Sequence, residues 1–130
     1  QLNLPVKIFV FNNEELSFIA MEMKASGYLD YATDFVNPDF GKLAEAAGIK
    51  GVSIQNSSEV DEKIMEALNH NGPVIVNVLL DKQELAMPPK IAYQQAKGFS
   101  KYLINAILDG RGTELKEMAK TNWMKYKSLY

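Results

Sequence analysis

The stretch that decides the fold is Pro73-Val74-Ile75-Val76-Asn77-Val78-Leu79-Leu80, an almost unbroken run of β-branched and aliphatic residues. Two shorter runs of the same character precede it, at residues 6–11 and 51–54. Strands that are apolar on both faces are typical of parallel sheets covered by helices on each side. The sequence therefore predicts three parallel β-strands.

Helical patterns separate these strands. Asn37 before Pro38 predicts an N-cap followed by the first helical residue, and Gly48 predicts the end of that helix. Ser58 predicts the cap of the next helix. That helix has an apolar face formed by Val60, Ile64 and Leu68. Alternating strands and helices predict an α/β fold, a three-layer parallel sheet flanked by helices.

The pattern changes after Leu80. Ala86-Met87-Pro88-Pro89 predicts an extended break, and two further helices are predicted near residues 94–108 and 113–126. We interpret residues 1–85 as a partial α/β domain and residues 86–130 as a C-terminal helical extension of the same domain.

Composition excludes several classes of protein. The 130 residues include 14 basic and 16 acidic side chains and no cysteine, and a net charge of -2 argues against nucleic-acid binding. With His70 as the one histidine, neither a cysteine-ligated zinc site nor a multi-histidine metal site is possible. His70 itself is interpreted as a surface residue that ends a helix. The sequence shows no membrane span and no signal peptide, which predicts a cytoplasmic protein.

The first candidate site is the turn after the first strand, Asn12-Asn13-Glu14-Glu15-Leu16. In parallel α/β sheets, ligands bind at the carboxyl ends of strands, where the next helix begins. Amide and carbonyl oxygens suit Mg²⁺, which also takes phosphate oxygens. The turn could therefore hold a metal-diphosphate group, or Asn13 could merely cap the helix. The residues alone favour the cap.

The following helix, residues 16–25, carries the second candidate. It has an apolar stripe formed by Leu16, Ile19, Ala20 and Met23. Phe18 and Glu22 lie together on another face, four residues apart. In an apolar neighbourhood, Glu22 would be a candidate proton-transfer group. On a solvated face, it would be an ordinary surface glutamate, and the pattern supports both interpretations.

Two features near the C-terminus are also open to two interpretations. Arg111, between two glycines, is either structural or anion-contacting, with the structural role favoured. The last helix has an apolar stripe of Leu115, Met118, Ala119, Trp123 and Tyr126, interspersed with Lys116, Lys120, Lys125 and Lys127. Aromatic residues among lysines suit a lipid surface, but a helix docked on its own protein is favoured by the residues alone.

The turn and several longer segments resemble a known family. Val10-Phe11-Asn12-Asn13 resembles the end of the thiamine diphosphate motif, which begins with Gly-Asp-Gly. Five further segments are similar to bacterial pyruvate oxidases of the flavin-dependent, quinone-reducing type: residues 18–28, 84–89, 95–99, 109–112 and 119–123. The resemblance covers essentially the whole chain. Ser17 departs from it, because the family usually has glycine there.

The resemblance implies roles for individual residues. The cofactor-binding set would be Asn12, Asn13, Glu15 and Leu16. Asn13 would give its side-chain oxygen to Mg²⁺, and Glu15 its backbone carbonyl. Phe18 would lie between thiamine and flavin, and Glu22 would face the reacting centre, so both are the implied catalytic residues. The implied fold, a parallel α/β unit, agrees with the pattern of the strands.

The implied activity is oxidative decarboxylation of pyruvate with thiamine diphosphate, Mg²⁺ and FAD. Electrons would pass to a quinone, giving acetate, or to oxygen with phosphate, giving acetyl phosphate. The family suggests a tetramer that contacts the inner face of the cell membrane through its C-terminal helix. Alternatives are a non-oxidative thiamine diphosphate enzyme, such as an acetolactate synthase, and a non-catalytic α/β binding module.

The resemblance also implies that the chain is a C-terminal fragment of a larger enzyme. The Gly-Asp-Gly half of the motif is not in this sequence, and FAD would be bound mostly by another domain. We therefore expect the isolated chain to be inactive and to bind thiamine diphosphate weakly or not at all.

Overall fold

A computed structural model describes Leu2, residues 4–82 and residues 92–128, with side chains described as far as Trp123. The strands are β1 (Lys7–Asn12), β2 (Lys50–Ile54) and β3 (Val74–Leu79). The helices are α1 (Ser17–Ala25), α2 (Phe40–Ala46), α3 (Val60–Asn69), α4 (Tyr93–Leu108) and α5 (Gly112–Ser128). The described residues form two compact units, the first from 1–14 and 36–80 and the second from 15–35 and 81–130.

The first unit contains a parallel sheet in the order β1-β3-β2. The central strand β3 pairs with both outer strands, so that Asn77 lies opposite Val10 on one side and Ser53 on the other. The three strands predicted from the sequence, their parallel arrangement and the α/β fold class are confirmed.

One hydrophobic core of this unit lies between the sheet and α3. Its buried residues are Val52, Ile54, Ala67, Val74 and Val76. Val60 and Ile64 of α3 pack against it, as the sequence predicts, but Leu68 is 53% exposed. At about 100° per residue, Ala67 lies within about 20° of Val60 around the helix, whereas Leu68 is turned by about 80°. Ala67 therefore takes the place that the four-residue spacing assigned to Leu68.

Helix α2 packs on β2 through small residues. A Cβ atom on Gly51 would collide with the carbonyl oxygen of Gly41, so this approach requires glycine in the strand. The Ser53 hydroxyl donates a hydrogen bond of 2.6 Å to Asp39 Oδ1 at the start of the helix. These contacts fix where α2 begins.

Both predicted helix caps are corrected by the structure. Asp39, not Asn37, is the N-cap of α2, and its carboxylate accepts from the backbone N–H groups of Gly41 and Lys42 at 2.9 and 3.2 Å. Ser58 lies in a 3₁₀ turn, Ser57–Glu59, that precedes α3 and caps nothing with its side chain. Asn and Asp are nearly equal as caps in isolation, so the bond from Ser53 decides between the two candidates for α2.

The second unit has its own core, centred on Tyr102, Ala106 and Met118. Helix α1 packs against α4, where a Cβ atom on Gly98 would collide with the carbonyl oxygen of Ala25. The α1 stripe predicted from the sequence is only partly right. Ala20 is buried, but Leu16 and Ile19 are 45% and 49% exposed.

In α5, Leu115 and Met118 join the core of the second unit, as predicted, whereas Ala119 and Trp123 are exposed. The side chain of Tyr126 and the segment 84–89 lie outside the described residues. The domain boundary expected at residue 85 also falls there and stays a prediction. No helix among the described residues is long and apolar enough to cross a membrane.

Replacing Asp39 tests the cap and its pH dependence. The Ser53 hydroxyl holds the pKa of Asp39 below its ordinary value of 3.8. Because the folded state has the lower pKa, this stabilisation is complete above the unfolded value and is lost as the pH falls through the folded pKa. Asp39→Ala should cost about 1–2 kcal/mol at pH 7 by urea unfolding, and less at pH 3. Asp39→Asn, which caps without titrating, is the control; equal losses for Asp39→Ala at both pH values would contradict the prediction.

Candidate functional site

The turn of residues 12–16 begins at the carboxyl end of β1. Asn12 is the last residue of the strand and is 4% exposed. Its carbonyl oxygen accepts from the Leu80 N–H at 2.8 Å, and its side-chain oxygen accepts from the Asn37 amide at 2.8 Å. Asn37, assigned to a helix cap by the sequence, thus holds Asn12 in place.

The chain turns sharply at Glu14, whose φ is 54°. Left-handed backbone costs a residue with a side chain roughly 1–2 kcal/mol, so the surroundings must hold this conformation. Helix α1 begins three residues later, with Leu16 as its N-cap and no side-chain cap bond. The interpretation that Asn13 caps this helix is therefore wrong.

Glu15 is tied to the loop that follows α1. Its side chain is 8% exposed and its carboxylate accepts from the Ser17 hydroxyl at 3.1 Å. The adjacent N–H of Leu16 donates to the Thr33 carbonyl at 2.8 Å, and Glu15 pairs with Asp34 in an isolated antiparallel bridge. Burial raises the pKa of Glu15, while the Ser17 bond and the charge of Lys24 oppose that increase.

Phe18 and Glu22 lie on the outer surface of α1. Phe18 is 73% exposed, and Glu22 is exposed as well, so within the second unit Glu22 agrees with the interpretation as a glutamate on a solvated face. Their implied roles beside a cofactor stay predictions. His70 follows the last residue of α3 as its C-cap, and its carbonyl oxygen accepts from the Lys7 ammonium at 2.8 Å, which agrees with a helix-ending role.

A buried charge cluster in the second unit was missed by the sequence analysis. Lys24 is 4% exposed; its ammonium lies 3.9 Å from Asp30, 3.7 Å from Glu114 and 5.6 Å from the centre of the Tyr102 ring. Arg111 lies 3.0 Å from Asp30 and 3.8 Å from Glu114, which supports its structural interpretation. One signal could have revealed the cluster: Lys24 follows buried Ala20 by four residues, on the same helix face.

Tyr102 completes this cluster from the core side. The aromatic ring of Tyr102 is fully buried, and its hydroxyl donates a hydrogen bond of 3.3 Å to Glu114 Oε1. Burial and the neighbouring Glu114 carboxylate raise the pKa of Tyr102 far above its ordinary value of 10.0. The phenol is therefore a hydrogen-bond donor throughout the neutral range.

The donors of the 12–16 turn suit Mg²⁺ bound together with phosphate. Among the described residues, no group of three or more histidine, aspartate or glutamate side chains could hold a metal ion. Mg²⁺ commonly takes only one or two protein oxygens and fills its octahedron with waters and phosphate oxygens. The Asn13 amide and the Glu15 carbonyl are oxygen donors of this kind, so the residues fit the group.

Comparison with known proteins identifies the family. Residues 1–78 match the profile of the C-terminal TPP-binding domain of thiamine pyrophosphate enzymes. The matched part contains β1, β2, the 12–16 turn, α1 and β3 as far as Val78. The chain belongs to this family, as the asparagine pair at the end of β1 led us to expect.

Several curated relatives support this family membership. YdaP of Bacillus subtilis (strain 168), provisionally named a thiamine pyrophosphate-containing protein, is 36% identical over 118 residues, 91% of this chain and 20% of that protein. The mitochondrial acetolactate synthase catalytic subunit of Saccharomyces cerevisiae is 38% identical over 89 residues, 68% of this chain and 13% of that protein. The mitochondrial acetolactate synthase of Schizosaccharomyces pombe is 35% identical with the same coverage. The chain thus spans a fifth or less of these relatives.

The conformation of Glu14 can be tested with two variants that both remove its side chain. Glycine adopts a positive φ without strain, whereas alanine does not. Glu14→Gly should therefore be more stable than Glu14→Ala by about 1 kcal/mol in urea unfolding. In an ordinary right-handed or extended conformation, alanine would be the more stable variant, and that order would refute the left-handed turn.

Proposed function

We propose that the intact protein that carries this chain is a thiamine diphosphate- and Mg²⁺-dependent enzyme that decarboxylates pyruvate. The observation that carries the proposal is the 12–16 turn: an asparagine pair at the carboxyl end of a parallel strand, inside the part that matches a TPP-binding family. Ligands of open parallel sheets bind at this edge. Family membership argues against the alternative of a non-catalytic binding module.

The residues of the turn would act by holding and orienting. Asn13 would give its amide oxygen, and Glu15 its backbone carbonyl, to the Mg²⁺ that accompanies the diphosphate. Thiamine diphosphate, when bound, supplies the nucleophilic carbon and the electron sink for decarboxylating a 2-keto acid. Phe18 offers an exposed aromatic face on α1, and Glu22 lies one helical turn later on the exposed side of the helix, where the resemblance to pyruvate oxidases would place it beside the reacting centre.

Two fates of the decarboxylated fragment have support. The named relatives favour the non-oxidative one, in which the fragment joins a second keto acid as in acetolactate synthases. The resemblance to pyruvate oxidases favours transfer of its electrons to FAD and then to a quinone, or to oxygen with phosphate. That support comes partly from residues 95–99, 109–112 and 119–123, which lie beyond the family match at residues 1–78.

One assay distinguishes the two fates. The intact protein would be supplied with pyruvate, thiamine diphosphate, Mg²⁺ and FAD under anaerobic conditions. Reduction of an artificial electron acceptor with acetate formation would support the oxidase. Acetolactate formation without reduction of the acceptor would support the synthase. Absence of both products would refute the proposed decarboxylation of pyruvate.

The proposed membrane contact and tetrameric assembly of the intact protein depend on the oxidative fate. A quinone-reducing enzyme acts at the inner face of the cell membrane, and the exposed Lys116, Lys120 and Trp123 of α5 suit contact with an anionic lipid surface. We propose this peripheral location and a tetrameric assembly with the oxidase. Co-sedimentation with anionic vesicles, compared with neutral vesicles, tests the membrane contact.

Replacing Asn13 tests the proposed metal ligand. Asn13→Ala should weaken binding of Mn²⁺, used as a probe for Mg²⁺, to the intact protein with thiamine diphosphate by tenfold or more, on the order of the losses seen for groups that support metals. Asn69→Ala, the same change at an exposed position of α3, should leave this affinity unaltered. Equal affinities of the Asn13 variant and the parent protein would remove Asn13 from the site.

A further inference from the structure

The peptide group between Glu15 and Leu16 is held by the loop that follows α1. The Leu16 N–H donates a hydrogen bond of 2.8 Å to the carbonyl oxygen of Thr33, which is 3% exposed, and Glu15 pairs with Asp34 in an antiparallel bridge. The described peptide bonds are all trans. In a planar trans peptide, the N–H and the C=O point in opposite directions. The bond to Thr33 therefore also sets the direction of the Glu15 carbonyl.

The backbone on each side of this hydrogen bond has a conformation that residues with side chains rarely adopt. Glu14, which precedes the held peptide, has a φ of 54°, and Ala32, which precedes Thr33, has a φ of 56°. Such left-handed backbone persists only where surrounding contacts hold it. The hydrogen bond between the two segments therefore depends on the contacts that hold the loop of residues 30–34.

Asp30 anchors this loop at its first residue. Its side chain is 10% exposed, and its Oδ1 accepts a hydrogen bond of 3.0 Å from Nη1 of Arg111. The Lys24 ammonium lies 3.9 Å from Oδ2, which adds charge attraction but is too long for a directed hydrogen bond. A charge-assisted bond from a planar guanidinium constrains both the distance and the direction of a carboxylate. Arg111 thus fixes where the loop begins.

The guanidinium of Arg111 is itself fixed within the second unit. The backbone N–H of Arg111 donates to the carbonyl oxygen of Ala106, a fully buried core residue, at 2.8 Å. Its Nε donates to Asp109 Oδ2 at 3.0 Å, and its Nη1 lies 3.8 Å from Glu114. The position of the guanidinium is therefore set by the turn between α4 and α5 and not by the loop that it holds.

We propose that Arg111 is a positioning residue for the metal-binding backbone: it holds the loop of residues 30–34, and that loop orients the Glu15 carbonyl. The loop acts through the Thr33 carbonyl, which fixes the peptide plane between Glu15 and Leu16. This inference rests on the proposed function, in which the Glu15 carbonyl meets Mg²⁺. Because Mg²⁺ demands near-octahedral geometry at about 2.0–2.1 Å, a carbonyl that rotates with its peptide plane is lost as a ligand.

The test measures Mn²⁺ affinity of the intact protein by electron paramagnetic resonance, with and without thiamine diphosphate, and needs no turnover. Leu16→Pro removes the N–H that donates to Thr33, and the φ of -81° at Leu16 is one that proline adopts. Leu16→Ala removes the same side chain and keeps the N–H. With thiamine diphosphate, Leu16→Pro should bind Mn²⁺ about tenfold more weakly than Leu16→Ala, as the loss of groups that orient metal ligands does.

Replacing Arg111 tests the hold on the loop. Arg111→Met removes the guanidinium and should also weaken Mn²⁺ binding by about tenfold. The double variant with Leu16→Pro should bind no more weakly than Leu16→Pro alone, because both changes release the same peptide group. Lys97→Met, which removes one positive charge from an exposed position of α4, should stay within twofold of the parent protein.

A spectroscopic signature separates positioning from general destabilisation. Protein labelled with ¹³C at the backbone carbonyls of glutamate should show electron–nuclear coupling between bound Mn²⁺ and the Glu15 carbonyl carbon. At saturating Mn²⁺, this coupling should be lost or reduced in Arg111→Met and in Leu16→Pro. It should be retained in Met118→Ala, which weakens the core of the second unit and changes no charge.

Three results would overturn the inference for Arg111. They are unchanged Mn²⁺ affinity or full coupling in Arg111→Met, an equal loss of coupling in Met118→Ala, and additive effects of Arg111→Met and Leu16→Pro.

Failure of the proposed function would look different. In that case, the parent protein itself would bind Mn²⁺ equally with and without thiamine diphosphate, and its labelled carbonyls would show no coupling. That result would overturn the metal site and the role of Arg111 together, whereas thiamine diphosphate-dependent binding that is insensitive to Arg111→Met would overturn only the latter.

Discussion

Both outer strands of the sheet pair with β3, and this pairing fixes the first unit. The register places Asn12, the last residue of β1, opposite Leu79, the last residue of β3, and so determines where the 12–16 turn begins. The central strand also carries Asn77, which is 6% exposed and whose Oδ1 bonds none of the described residues. An unpaired buried acceptor lowers the free energy of unfolding by about 1–3 kcal/mol. The pairing of β3 with a strand on each side offsets this loss.

The sequence predicted the strands well because their signal is local. An unbroken aliphatic run is poorly suited to a half-exposed surface, so residues 74–79 indicated a strand covered on both faces. Helix starts were less predictable. Asn37 and Asp39 are both good caps, and the choice between them depends on Ser53, a residue of another strand. Helix boundaries chosen by such tertiary contacts cannot be read from neighbouring residues alone.

The candidate site was likewise predictable from the sequence only in part. The asparagine pair and the start of α1 were visible in the sequence as a motif at the end of a strand, whereas the environment of each side chain was not. Helical periodicity placed Leu16 on an apolar stripe, yet Leu16 is exposed in the structure, and for Glu22 the pattern left two interpretations open, of which the solvated one agrees with its exposure. Lys24 was not considered, because its partners Asp30 and Glu114 are close to it only in the folded chain.

The buried and exposed faces of α1 bear on which reaction we propose for the intact protein. The two proposed fates, oxidation and carboligation, share the decarboxylation of a keto acid, so residues of the turn that are proposed to hold Mg²⁺ would serve both fates equally. The two fates differ in what the reacting fragment meets next. On α1, the side that carries Ala20 and Lys24 is buried in the second unit, while Phe18 and Ile19 are exposed. If the intact protein follows either proposed fate, the exposed face of α1 is therefore the part of this helix that could meet a second reactant, because the buried face is occupied by packing within the second unit.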